Sequence, residues 1–348
     1  MNNMPRKTQR LTDAPEDIRR AAELLRQGEL VGIPTETVYG LAADALNGAA
    51  VTDIFAAKGR PQDNPLIVHI ASFQEWVPLV TSIPPAARTL AEAYWPGPLT
   101  MILPRSDLIP KEVSAGLDTV AVRMPSHPTA QAIITACGRP LAAPSANRSG
   151  SPSPTTAARV LEDMDGRIAA VVDGGPCTVG VESTVVDLCG IRPRLLRPGG
   201  VTLSMLEKVA GAVEVDQAVT GRLREGQRAA SPGMKYKHYA PKARVILVKG
   251  AAEAYRRFVS AQAEENPDGL AALCFDGEDL NLGIPAVTYG GRKDHATQAH
   301  QVFDALRRLD EIGAQKVYAA CPEPDGIGLA VYNRLLRAAA FEVIELDG

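Results

Sequence analysis

The sequence predicts an α/β protein of two domains: a mixed-sheet domain over 10–205, and a small Rossmann-like parallel-sheet domain over 242–348. Three observations lead there. Stretches with apolar residues at helical spacing interleave with short apolar runs of strand type. Before residue 205 their order lacks a strict strand–helix–strand rhythm, whereas after 242 the alternation is regular. Between them, residues 217–241 are rich in Gly, Pro and charge with little periodicity, so 206–241 reads as a linker. A length of 348 residues suits about two domains.

The elements follow in order. Residues 15–27 (PEDIRRAAELLRQ) carry a helical apolar pattern that stops at Gly28, and LVGIP (30–34) is a short strand broken by Pro34. Helical patterns recur at 49–58, 73–80, 84–94, 128–137 and 155–164, the last with Thr155 or Thr156 as cap. Strands fall at LIVHI (66–70), LTMIL (99–103), VAVRM (120–124), LAA (141–143), AAVVD (169–173), STVVDL (183–188) and RLLR (194–197). Beyond the linker, strands at 244–249, 269–275, 286–289, 316–321 and 341–346 alternate with helices at 251–265, 296–312 and 329–340. The linker contains MKYKHY (234–239), a basic and aromatic cluster unusual in a passive tether.

Composition excludes several classes. Hydrophobic residues make up 45% and charged residues 22%, enough apolar content for an ample core without disulfide or metal staples. A formal net charge of -3 argues against a protein whose main task is gripping nucleic acid. Cys137, Cys177, Cys189, Cys274 and Cys321 are odd in number and widely spaced, which suits buried or half-buried free thiols. No apolar run approaches the ~20 residues of a membrane span, and the polar N-terminus lacks a signal-peptide core, so a cytoplasmic location is expected.

Several segments make poor structure but good sites. PTETVYG (34–40) sets hydroxyls after a strand end. KGRPQDNPLIVHI (58–70) places Lys58, Arg60 and Asn64 in a Pro-punctuated loop before the strand that carries His69. Two basic groups in a rigid loop suit a polyphosphate, although a solvated surface pair has the same sequence signature. Arg123 lies within an apolar strand, and a buried guanidinium needs an anion: a structural carboxylate or a ligand's. Taken alone, His69 inside LIVHI reads more readily as a satisfied core histidine than as a site residue. APSANRSGSPSPT (143–155), GVESTVVD (180–187) and LLRPGG (195–200) are further strand-and-turn segments. There is no GxxxxGK[ST] loop, no GxGxxG after the first strand, no HExxH and no GxSxG, and the histidines lack metal-ligand spacing.

In combination and order, PTETVYGL, K-x-RP-x-x-NPLIVHI, WPGPLT, TVAVRMP, APSAN, GVESTVVD and LLRPG resemble the signature blocks of the YrdC family of L-threonylcarbamoyladenylate synthases. SPGMKYKHYAPKA (231–243) is similar to that family's interdomain linker, and GIGLAVYNRLLRAA (326–339) to the closing helix of the two-domain form.

The resemblance implies a YrdC-like twisted mixed sheet with a concave cavity. It implies a nucleotidyltransferase that joins L-threonine, bicarbonate or CO2 and ATP into threonylcarbamoyl-AMP and pyrophosphate, with Mg²⁺ on the nucleotide. The product would pass to a separate threonylcarbamoyl transferase acting beside the tRNA anticodon, so that tRNA is met at most indirectly. Carried over residue by residue, Thr37, His69, Arg123, Ala143 and Ser183 match threonine-contacting positions. Arg60, Asn64, Thr119, Ser145, Ser153 and Arg197 match ATP-contacting ones, Lys58 joins the basic loop at the phosphates with Arg60, and Tyr236 closes over the nucleotide from a linker acting as lid. Met234 and Lys235 are alternatives for that last role. No protein side chain is assigned to a metal.

Overall fold

The computed structural model describes residues 7–221 and 238–346. By their contacts these divide into two compact units, the first formed by 7–149 and 153–219, the second by 150–152, 220–221 and 238–346.

The first unit is one sheet of eleven strands with helices packed on it. In chain order its strands are β1 (Gln9–Thr12), β2 (Val31–Ile33), β3 (Gly40–Asp44), β4 (Ile67–His69), β5 (Leu99–Pro104), β6 (Thr119–Arg123), β7 (Leu141–Ala142), β8 (Ala170–Asp173), β9 (Thr184–Asp187), β10 (Arg194–Arg197) and β11 (Glu214–Val215). Its helices are α1 (Pro15–Arg26), α2 (Gly48–Lys58), α3 (Phe73–Trp76), α4 (Pro85–Tyr94), α5 (Lys111–Ser114), α6 (Pro128–Cys137), α7 (Ala157–Met164) and α8 (Leu203–Ala210). The strand order is β1-β8-β2-β3-β7-β4-β6-β5-β9-β10-β11. Parallel pairs such as β4–β6 and β5–β9 mix with antiparallel pairs such as β5–β6 and β9–β10, the mixed sheet expected from the irregular rhythm.

Each helix has a local cause. α1 starts on Pro15, carries Glu16 and Asp17 in its first turn and Arg26 in its last, the charge order a helix dipole favours. Its apolar face, Ala21, Ala22, Leu24 and Leu25, is buried with Ile133, Ile134 and Cys137 of α6. α2 is capped by Asn47, whose side chain accepts from the Ala49 and Ala50 amides. It stops at Gly59, where φ of 62° lets the Arg60 amide reach the Phe55 carbonyl. α7 is capped by Thr156, which accepts from the Arg159 amide.

Strand alternation divides the middle of the sheet. Val68, Val120, Val122, Met101, Leu103, Val186 and Leu195 enter one core with Ile54, Phe55, Leu90 and Trp95. Each such side chain contributes roughly 1.5–3 kcal/mol by leaving water. The intervening residues, His69, Arg123 and Thr100 among them, take the opposite face by the two-residue period.

Four features were not anticipated. β3 was missed because GLAAD is buried on both faces and shows no polar alternation. β1 is a short edge strand with only Leu11 buried. α5 is a single helical turn. The expected linker start at 206 falls inside α8, capped by Thr202, after which β11 and a 3-10 turn (Gln217–Val219) carry ordered structure further along the chain.

The second unit is a five-stranded, wholly parallel sheet, as its regular alternation predicts. Its strands are β12 (Arg244–Lys249), β13 (Leu270–Cys274), β14 (Ala286–Thr288), β15 (Lys316–Ala320) and β16 (Val343–Glu345), in the order β14-β13-β15-β12-β16. Its helices are α9 (Ala252–Glu265), α10 (His295–Glu311) and α11 (Gly328–Ala338).

Candidate active site

The site grows from the register of three neighbouring strands. His69 on β4 stands beside Arg123 on β6, and Arg123 beside Thr100 on β5. With one face committed to the core, this puts His69, Arg123 and Thr100 in a row on the other.

Arg123 is 3% exposed and held from three sides. Its Nε donates to the Gly97 carbonyl at 3.2 Å and its Nη1 to Thr37 Oγ1 at 2.8 Å. Its Nη2 lies 2.7 Å from Glu36 Oε1, an ion pair between two buried side chains. Of the two anions the sequence allowed, the structural carboxylate is therefore present. Burial pushes the Glu36 carboxyl up, but the Arg123 charge and hydrogen bonding outweigh it and hold the group below the usual carboxylate range.

The Glu36 segment is itself fastened. The Val179 amide donates to the Glu36 carbonyl at 2.7 Å and the Gly180 amide to the Thr37 carbonyl at 3.1 Å. Thr35 Oγ1 sits 2.8 Å from Thr37 Oγ1.

His69 is buried with Nδ1 3.2 Å from the Ile67 carbonyl. Burial, with the nearby Arg123 charge, pushes its pKa down to about 3, so the imidazole is neutral at physiological pH. The Ala143 amide donates to the same Ile67 carbonyl at 3.1 Å, which brings the 143–147 loop to the edge of the row.

On the far side of Thr100, its Oγ1 meets Ser183 Oγ at 2.7 Å. Arg197 clasps Ser183, with Nε donating to the carbonyl at 3.0 Å and Nη2 to Oγ at 3.1 Å. Gly199 explains part of LLRPGG: a Cβ there would sit 2.6 Å from the Glu182 carbonyl oxygen, so only glycine lets the turn pack on this segment. Ser153 Oγ donates to Glu182 Oε1 at 2.5 Å, tying the 143–155 loop to the 180–187 segment.

Lys58 ends α2 and is buried, which excludes a solvated surface pair at this position. Its Nζ donates to the carbonyls of Ser145 at 2.5 Å and Asn147 at 2.7 Å. Burial, then the nearby Arg60 charge, pushes its pKa down to about 7. Gly40 and Ser145 form an isolated bridge, and the Ala146 amide donates to the Tyr39 carbonyl at 2.8 Å. The loops 34–40 and 143–147 therefore meet over the strand ends.

Hydrogen bonds and strand register thus link Thr37, Arg123, His69, Ala143, Ser145, Lys58, Ser153, Ser183 and Arg197 into one continuous set of segments. Asn64 and Thr119 stand apart from that set, while Arg60 lies near enough to Lys58 for its charge to act on it. Arg60 is half-buried, its guanidinium 5.9 Å from the centroid of the Phe55 ring. Asn64 is buried with its Oδ1 lacking a hydrogen-bond partner. Thr119 begins β6, on the Arg123 face but four residues away, or about 13 Å along the strand. Tyr236, Met234 and Lys235 lie outside the described residues.

Sequence reasoning missed Glu36, Glu182, Thr100 and Asn147. Glu36 and Glu182 sit inside the quoted PTETVYG and GVESTVVD blocks, and the search for an anion beside Arg123 was the signal that could have found the first. All five cysteines are free, and one expectation needs correcting: Cys189 is exposed, because it follows β9 in a surface turn.

These features define a class: a mixed-sheet domain whose polar strand face joins a buried arginine to hydroxyl-bearing loops, followed by a parallel-sheet domain. A family model for Sua5, YciO and YrdC, described as "Telomere recombination", matches residues 23–199, and a second, "Threonylcarbamoyl-AMP synthase, C-terminal domain", matches 201–340. The chain belongs to the Sua5/YciO/YrdC family, in its two-domain form. A threonylcarbamoyl-AMP synthase of Pyrococcus abyssi (strain GE5 / Orsay) is 47% identical over 332 residues, covering 94% of this chain and 96% of that one. One of Bacillus subtilis (strain 168) is 44% identical over 342 residues, covering 97% of each. The crystal structure of P. abyssi Sua5 complexed with L-threonine matches with a TM-score of 0.91 at 44% identity, over 98% of this chain and 99% of that chain.

Proposed function

We propose that this chain is an L-threonylcarbamoyladenylate synthase, which joins L-threonine, bicarbonate and ATP into threonylcarbamoyl-AMP and releases pyrophosphate. The row His69–Arg123–Thr100, flanked by Thr37 and Ser183, carries the reading. It is a buried cation among hydroxyls, suited to an amino acid with a hydroxyl side chain. The names of the two relatives, which match this chain over nearly its full length, and the L-threonine held by P. abyssi Sua5 support it.

In this reading threonine lies against Thr37, His69, Arg123, Ala143 and Ser183. Arg123 takes the carboxylate with the N–H groups that Gly97, Thr37 and Glu36 leave uncommitted. ATP lies against Lys58, Arg60, Asn64, Thr119, Ser145, Ser153 and Arg197, with Tyr236 and the 231–241 segment closing over it. Neutral His69 adds no charge beside the carboxylate.

The ammonium of threonine first sheds a proton; the free amine then combines with bicarbonate, releasing water, or with CO2, releasing a proton, to give a carbamate. A carbamate oxygen then attacks the α-phosphorus and pyrophosphate leaves. No protein nucleophile is required, so catalysis rests on positioning and on neutralising charge, with Lys58 and Arg60 at the phosphates. Discrimination against serine rests on one methyl, worth about 1–3 kcal/mol.

Mg²⁺ enters as the counter-ion of ATP, where it would offset phosphate charge. Near the row the carboxylates are engaged, Glu36 by Arg123 and Glu182 by Ser153. Among the described residues the grouping of three metal-capable side chains is His295, Glu323 and Asp325, in the second unit. No helix among the described residues is long and apolar enough to cross a membrane. The enzyme is taken to act in the cytoplasm, handing its product to a threonylcarbamoyl transferase.

The test is pyrophosphate release by the purified chain with ATP and Mg²⁺, with and without threonine and bicarbonate, and detection of the adenylate by mass spectrometry. Release that needs both co-substrates is expected. Release independent of threonine, or no adenylate, would refute the reading.

A further inference from the structure

Resting on the threonine-binding reading above, we propose that Glu36 seats the amino group of the incoming amino acid, so that Glu36 and Arg123 together recognise a zwitterion. The two groups are 6% and 3% exposed, and Glu36 Oε1 is 2.7 Å from Arg123 Nη2. Glu36 Oε1 meets Arg123 Nη2 at 2.7 Å, but a carboxylate has about four acceptor sites, so capacity is left for a ligand N–H.

The pair is also pre-set. Gly97 and Thr37 fix the guanidinium, while the amides of Val179 and Gly180 fix the backbone of Glu36 and Thr37. An α-amino acid carries its carboxylate and ammonium on one carbon. It therefore presents an anion and a cation side by side, the complement of a guanidinium and a carboxylate side by side. The other titratable groups facing Glu36 bring no competing charge near neutrality. Burial pushes His69 to about 3 and the Cys177 thiol up to about 12, and pushes His127 below its ordinary value. Glu36 acts in seating the amino acid and takes no part in bond making.

Calorimetric titration of the full chain with L-threonine and with (2S,3R)-2,3-dihydroxybutyrate, which has a hydroxyl in place of the amine, tests this. The wild type should bind threonine about ten- to a hundred-fold more tightly than the dihydroxy acid. Glu36→Gln should weaken threonine by a similar factor and leave the dihydroxy acid unchanged or tighter, because the repulsion between two carboxylates is gone. If Glu36 served only to hold Arg123, the variant would weaken both ligands in parallel, and that result overturns the proposal. Equal binding of the two ligands by the wild type overturns it without any variant, so the outcome does not depend on whether Glu36→Gln folds. A wild type that binds neither ligand sinks the threonine-binding reading itself, a result distinct from the other two.

Discussion

Lys58 Nζ lies 2.7 Å from the backbone carbonyl of Asn147, so the last residue of α2 fastens the loop that also carries Ser145. A side chain expected at phosphates is thus also a bracket for the loop beside them. Lys58→Met should lower the stability of the ligand-free protein by about 2 kcal/mol, since the Ser145 and Asn147 carbonyls lose their shared donor. A thermal melt checks this. A lysine that served phosphates alone would leave the ligand-free melting temperature where it was.

Arg123 and Glu36 are buried together, so each protects the other from an uncompensated charge. Arg123→Met alone should cost about 3–5 kcal/mol. The double variant Arg123→Met with Glu36→Gln should cost clearly less than the sum of the two single variants. Urea denaturation of all four proteins measures the coupling, and additive losses would refute it.

His69 supplies a pH dependence whose sign is fixed. Its folded pKa is down at about 3, below the ordinary 6.5, so between those values the unfolded chain binds more protons than the folded one. Stability from this group is full above the unfolded value and is lost as pH falls toward 3, by at most about 1.4 kcal/mol per unit. Replacing His69 with Asn should flatten the fall in stability between about pH 6.5 and 4, measured by urea unfolding. An unchanged slope would mean that His69 is not held neutral.

Ser183 Oγ bridges Thr100 and Arg197. Ser183→Ala should destabilise by about 1–2 kcal/mol, because two buried partners lose a bond. Adding Thr100→Val should cost less than Thr100→Val does alone, since the orphaned hydroxyl is removed with it.

Much of the fold could be read from periodicity. The parallel sheet of the second unit and the strands around His69, Arg123 and Ser183 follow from apolar runs between helical stretches. β3 could not, because a strand buried on both faces carries no alternation, and α8 lay hidden under a linker expectation despite Thr202 at its start. The site was legible in part. An arginine inside an apolar strand demanded an anion, but the sequence does not say which carboxylate lies across the sheet. Glu36 reaches Arg123 only because its loop, 87 positions earlier in the chain, is folded back over the strand ends. The turning of Lys58 onto carbonyls depends equally on tertiary structure, since its partners lie in a different loop.

The side-by-side register of β4 and β6 has a consequence for how this protein can change. A slip of one position would send Arg123 among the valines and turn Val122 outward, so the oily side of the sheet polices the polar side. Substitutions that retune substrate choice should therefore accumulate in the loops at 34–40, 143–155 and 180–183, leaving the strands beneath them as a fixed frame.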